Sequence, residues 1–238
     1  MIATIRYFMF TICVILGLLF ALPICLLRPF SPKNSQWFFK FFEFVCLIFA
    51  GISIKSEGAD IVAKTHPSVL IGNHQHNMDA LAVAQIFSPH SIVLGKFELG
   101  LIPLFGQVYA LTGNILVKRG NRKKAMESMK VIEKKVLDNK LTVLVFPEGT
   151  RNSSEELGAF KKGAFYTAIR TQTPLIPFSV SKYSRNENLN KFGLLKIYVK
   201  VHEPIETVGL TTQDIPRLMQ ETKKIIQDGI EELNKNYQ

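Results

Sequence analysis

The chain has 238 residues and 47% apolar residues, enough for one large domain with a packed core, or one domain with an appendage. Lys and Arg number 29 against 19 Asp and Glu, a net charge of +10. Disordered and collagen-like classes are excluded, and the basic surplus directs attention to anionic membranes, acidic partners or nucleic acid. No nucleic-acid-binding motif accompanies the charge, which disfavours the last. The three cysteines, Cys13, Cys25 and Cys46, form no CxxC pair and lie in the apolar N-terminal part. They read as small apolar packing residues rather than a disulfide scaffold.

Tyr7 to Leu27 is a run of 21 residues without a charge. About 20 apolar residues suffice to span a bilayer as a helix. Pro23 should kink or stop that helix. PFSPKNS (29–35) reads as a turn, and a second apolar run follows over 37–54 with seven aromatics between Trp37 and Phe49. Lys40 and Glu43 leave it 11 uncharged residues, Phe44 to Ile54, too few to span. No A-x-A cleavage site is present. Cations flank the first run on both sides (Arg6, then Arg28 and Lys33), so the positive-inside rule gives no orientation. The favoured reading is a helical hairpin over residues 1–55 embedded from one face of a membrane, ahead of a single span and of two buried core helices.

After Lys55 short apolar runs alternate with helical patterns. Strands are predicted at 68–73, 91–95, 114–117, 141–146, 174–180 and 194–201. Helices are predicted at 79–87, within 101–113, and at 122–138, 160–171 and 212–235. This alternation predicts an α/β domain over 56–238, a sheet flanked by helices.

Four blocks carry candidate chemistry. Asn73-His74-Gln75-His76-Asn77-Met78-Asp79 stands where the first buried strand runs out, the usual place for reacting groups in α/β sheets. A histidine titrates near neutrality, and a carboxylate on its other nitrogen fixes the tautomer, so His74 and Asp79 suit a general base and its partner. The plainer alternative is a helix start with Asn77 as cap and Asp79 in the first turn. Phe146-Pro147-Glu148-Gly149-Thr150-Arg151-Asn152 also follows a strand. Its glycine permits a tight turn, and its arginine could hold a phosphate. Taken alone it is more often a β-turn with a surface arginine. Gly113 to Arg119 is a strand ending in two cations, and Pro174-Leu175-Ile176-Pro177 a strand bracketed by prolines, whose ordinary reading is an edge strand.

In this order, HQHNMD, GNILVKR, FPEGTR and PLIP resemble the four motifs of the glycerolipid acyltransferase family, nearest to its bacterial members that acylate lysophosphatidate. The resemblance covers nearly the whole chain. His76 departs from it, since many members carry a small residue there. The resemblance implies a mixed sheet flanked by helices behind the N-terminal hairpin. It implies that His74 deprotonates the sn-2 hydroxyl of lysophosphatidate and that Asp79 orients His74. The hydroxyl then attacks an acyl thioester, acyl carrier protein or CoA, with no acyl-enzyme, no metal and no other cofactor. Consistently, the chain has no G-x-S-x-G elbow and no Cys near a His. Arg119 and Arg151 would clamp the acceptor phosphate, with Glu148 holding the motif loop or its arginine and Gly149 and Thr150 in the same substrate loop. Lys96 is a weaker candidate, equally well a surface lysine. The implied location is the cytoplasmic face of the cell inner membrane.

Eight cations between Lys118 and Lys135 face Glu127 and Glu133. A solvated helix face and a docking surface for anionic lipid or acyl carrier protein both fit them. Three other functions compete: an acyltransferase for another lysophospholipid head group, a metal-dependent hydrolase built on His74-Gln75-His76, and a lipid-tethering protein. The hydrolase lacks clustered further ligands, since only His66, His90 and His202 remain.

Overall fold

The computed structural model describes residues 2–118, 122–154, 156–183 and 195–237. Its centre is a seven-stranded mixed sheet of order β1-β7-β6-β2-β5-β3-β4. The strands are β1 (Ile52–Glu57), β2 (Ser68–Gly72), β3 (Ser91–Lys96), β4 (Ile115–Val117), β5 (Thr142–Val145), β6 (Leu175–Val180) and β7 (Leu195–Val201). β2 to β6 run parallel to one another, and β7 is antiparallel to β6 and carries β1 in parallel. The carboxyl ends of β2, β3, β4, β5 and β6 therefore share one edge of the sheet.

Burial alternates with the period of the strands. Leu70, Leu144, Ile176 and Phe178 face one core, closed by α2 (Lys33–Ala50) and α4 (Asp79–Ile86). Val69, Ile71 and Leu175 face the other, closed by α7 (Gly163–Thr171) and α8 (Ile215–Tyr237). A third cluster, Ile92, Ile115 and Val143, lies under Ile132 and Val136 of α6 (Arg122–Asp138). Lys135 of that helix turns inward, its ammonium donating to the Gly113 carbonyl at 2.7 Å, so it leaves the basic surface.

The six strands predicted from the sequence are present, but β6 is internal, between β7 and β2, and not an edge. Pro177 is tolerated there because its carbonyl accepts the His202 N–H at 2.9 Å while the ladder to β7 takes up only at Phe178. β1 and α3 (Ala59–Lys64) were not legible. The apolar run predicted to be helical to 54 leaves the helix at Ala50, because Gly51 takes a left-handed φ of 62° and ends it. The division expected after residue 55 consequently falls inside β1.

α1 (Ile2–Leu27) passes through Pro23 without stopping. The proline removes one donor close to the helix end, and the last turn still closes through Arg28 N–H to the Ile24 carbonyl at 3.1 Å. α1 is the one described helix long and apolar enough to cross a membrane. α2 lies between α1 and the sheet. Its Phe39, Phe42, Val45 and Cys46 belong to the main core, while Trp37, Phe44, Leu47, Ile48 and Phe49 are exposed. On α1, Phe8, Leu19, Leu26 and Leu27 are likewise exposed. A short α5 (Phe105–Leu111) packs beside α1, with Val108 against Leu18, Ala21 and Cys25.

The two faces of α2 separate two roles. Phe42→Ala opens the main core and is expected to cost about 3–5 kcal/mol, read as a lowered Tm in detergent. Phe44→Ala should leave Tm unchanged and weaken binding to lipid vesicles. Equal Tm for both variants would mean that α2 is not part of the folded body.

Candidate active site

β2 ends at Gly72, where an added Cβ would lie 2.5 Å from the Phe178 ring. That absence of a side chain lets Phe178 pack edge-on to Phe146, with centroids 6.1 Å apart. Phe146 in turn stacks under the His74 imidazole at 4.1 Å and 16°. Asn73 bridges the widening gap to β6, donating to the Val180 carbonyl and accepting its N–H at 3.0 and 2.8 Å.

His74 Nδ1 meets Asp79 Oδ2 at 2.6 Å. The His74 side chain is 24% exposed and that of Asp79 1%. Asp79 Oδ2 also accepts the N–H groups of Gln75 at 2.7 Å and His76 at 2.9 Å, so the loop wraps the carboxylate. Asp79 does stand in the first turn of α4, as a plain helix start would have it, yet its oxygens serve the loop and His74. Asn77 does not cap the helix: its Oδ1 accepts from Arg151 Nη1 at 2.7 Å.

The second block crosses to the first. Asn152 N–H donates to the His74 carbonyl at 2.8 Å. Glu148, grouped by sequence with the substrate-binding residues, is buried and holds this loop. Its Oε2 accepts from Gly158 N–H and Asn152 Nδ2, both at 2.8 Å, and its Oε1 faces His74 N–H at 3.4 Å. Gly149 takes a φ of 72°, and Thr150 and Arg151 are exposed at the mouth. Lys96, at the end of β3, is half exposed and 3.6 Å from Glu98; no contact ties it to His74. Arg119 lies outside the described residues; its neighbour Lys118 sits over the Phe97 ring at 5.6 Å.

Sequence reasoning missed three further members. Tyr183 donates its hydroxyl to Asp79 Oδ1 at 2.5 Å. The buried Lys182 donates to the Ser154 carbonyl at 2.5 Å, and burial lowers its pKa against the opposing pull of Glu148 and Asp79. Tyr7 of α1 places its hydroxyl 3.1 Å from His76 Nε2. The first two follow β6 at the same sheet edge, a position that could have flagged them. Nothing in the sequence pairs residues 7 and 76. Among the described residues, no three His, Cys, Asp or Glu side chains gather in a metal-ligating group: His74 turns to Asp79 and His76 to Tyr7.

The arrangement leaves His74 Nε2 as the ring nitrogen able to take a proton from a bound hydroxyl, on the open side of a base held by a buried carboxylate. Residues 53–181 match the family model described as Acyltransferase. The 1-acyl-sn-glycerol-3-phosphate acyltransferase of Haemophilus influenzae is 30% identical over 238 residues, 98% of this chain and 97% of that one. The protein of the same name from Escherichia coli K12 is 32% identical, covering 89% and 86%. The crystal structure of a 1-acyl-sn-glycerophosphate acyltransferase from Thermotoga maritima superposes with a TM-score of 0.73 at 22% identity, over 100% of this chain and 96% of that one, which shows the shared fold.

His76 supplies a pH test. Burial is the largest cause lowering its pKa, with Asp79 opposing and Arg151 and His74 reinforcing. The unfolded chain then binds the proton more readily, so stability rises with pH through that window. The contribution is complete above the unfolded histidine value of about 6.5 and is lost as pH falls through the lower folded value. Chemical denaturation on either side of that value should show a shallower pH dependence in His76→Gln. An identical slope would mean that His76 titrates alike in both states.

Proposed function

The chain belongs to the acyltransferase family, and on that premise we propose that it acylates the free sn-2 hydroxyl of 1-acylglycerol 3-phosphate from an acyl thioester, giving phosphatidate, a step of phospholipid biosynthesis. The observation that carries this reading is the His74–Asp79 pair at 2.6 Å on the open edge of the sheet.

His74 Nε2 takes the hydroxyl proton as the oxygen attacks the thioester carbonyl carbon. The C–O bond forms, the tetrahedral intermediate collapses, and the C–S bond breaks. The thiolate leaves and recovers the proton from His74, so no acyl-enzyme is formed. Asp79 holds the imidazole tautomer and stabilises its cation. General base catalysis contributes about 10²–10⁴-fold, and positioning of the two substrates must supply much of the remainder. Arg151 stands at the mouth, bonded to Asn77 of the His74 loop, and there it binds the acceptor phosphate. Lys96, at the end of β3, would add a second cation to the acceptor site, and Arg119, by its place in the GNILVKR block, a third. Glu148 keeps the Arg151 loop in register with His74 from beneath. Gly149 gives that loop its turn.

α1 and the outer face of α2 form an apolar surface suited to a membrane, and Tyr7 ties α1 to the loop that carries the base. The enzyme acts at the cytoplasmic face of the cell inner membrane, where acceptor lipid and soluble thioester meet. Acyl carrier protein and CoA thioesters are both donors of the required chemistry, and neither reaction step calls for a metal or other cofactor. The exposed Lys118, Lys130 and Lys134 offer cations to an acidic carrier.

Transfer from a labelled acyl thioester should give phosphatidate from lysophosphatidate, in preference to lysophosphatidylcholine or glycerol 3-phosphate and regardless of chelator. His74→Ala should lose at least 10²-fold in kcat, following the size of general base catalysis. Arg151→Ala should chiefly raise KM for lysophosphatidate. Preference for another acceptor would overturn the arginine assignment, and loss of turnover on chelation would favour the metal-dependent hydrolase.

A further inference from the structure

Asp79 has two carboxylate oxygens, and they are held differently. Oδ2 takes His74 Nδ1 and the N–H groups of Gln75 and His76. Oδ1 takes the Tyr183 hydroxyl at 2.5 Å, from a residue 104 positions away in sequence. Tyr183 is 1% exposed. Its backbone N–H faces Gln75 Oε1 at 3.3 Å, Gln75 Nε2 donates to the Ser181 carbonyl at 2.7 Å, and the Tyr183 ring stands edge-on to His76 at 6.4 Å. The segment after β6 is thus clamped onto the loop after β2.

We propose that Tyr183 is a positioning residue for acyl transfer: its hydroxyl fixes the rotation of the Asp79 carboxylate and, by drawing charge from it, sets the basicity of His74. This rests on the reading of His74 as general base. A buried carboxylate needs donors on both oxygens to remain charged. Tyr183 supplies one without adding a positive charge that would compete with the imidazolium. Burial, the Asp79 charge and the hydrogen bond hold the Tyr183 phenol well above its ordinary pKa, so it keeps its proton and acts only as donor. With that donor removed, the carboxylate's charge concentrates on Asp79 and stabilises the His74 cation more strongly. The other charged and titratable groups facing the pair are His76 from the same loop, Glu148 and Arg151 from the loop after β5, Lys182 from the segment after β6, and Tyr7 from α1. All are retained in the variants below.

The test is the pH profile of kcat/KM for the full chain in lipid–detergent micelles, whose acid limb reports the free base. Tyr183→Phe should move that limb upward by roughly half to one pH unit, and lower kcat several-fold with KM for the acceptor unchanged. Site-specific replacement of Tyr183 by 3-fluorotyrosine, a stronger donor of nearly the same shape, should move it downward. An unmoved limb in folded Tyr183→Phe overturns the proposal and leaves Tyr183 a packing residue. If Tyr183→Phe fails to fold, the fluorinated protein decides alone, and an unmoved limb there overturns the proposal. His74→Ala, run beside them, separates the two readings: retained turnover overturns the general-base reading and this one with it, whereas an inactive His74→Ala with unmoved limbs overturns only the role of Tyr183.

Discussion

One ionic hydrogen bond organises this molecule: the buried Asp79 carboxylate on His74, at 2.6 Å. A carboxylate with almost no solvent contact is tolerated only when its oxygens are filled by donors. Here the donors come from the His74 loop itself and from the segment after β6. Satisfying Asp79 therefore forces the loop to close around it and draws the end of β6 against the end of β2. The same contacts engage Nδ1 of the imidazole and leave its second nitrogen unengaged by Asp79.

The floor beneath that imidazole is apolar and continuous with the core. Gly72 makes room for Phe178, Phe178 supports Phe146, and Phe146 lies under His74. Core packing is close, and it transmits small displacements. The position of His74 is thus set by the packing of β2, β5 and β6 together rather than by the loop alone. Glu148 does the corresponding work in polar terms, tying the Arg151 loop to the His74 backbone and to Gly158.

The N-terminal helices pack into the same core as the sheet. α2 presents aromatic residues on both faces, one to the sheet and α4, the other outward. Removing residues 1–55 would strip Phe39, Phe42, Val45 and Ile52 from the main core and cut into β1. The apolar outer surface and the α/β body are one packed unit, and Tyr7 extends α1 to His76 in the loop after β2.

Much of this was written in local pattern. The short apolar runs at 68–72 and 142–145 and the helical pattern over 122–138 each depend on neighbours in sequence, and each element formed where it was expected. The HQHNMD and FPEGTR blocks were legible because reacting groups cluster where parallel strands end. The sequence could not give the internal place of β6 or the contacts of Tyr183 and Tyr7. Strand order is decided by which apolar faces pack together, not by any one strand's own residues. A hydrogen bond spanning 104 positions, such as Tyr183 to Asp79, exists only once the sheet has brought two strand ends side by side. The sequence by itself determined the elements and set His74 five residues before Asp79; the tertiary structure decided that the two meet and what surrounds them, because burial and long-range donors are properties of the packed chain.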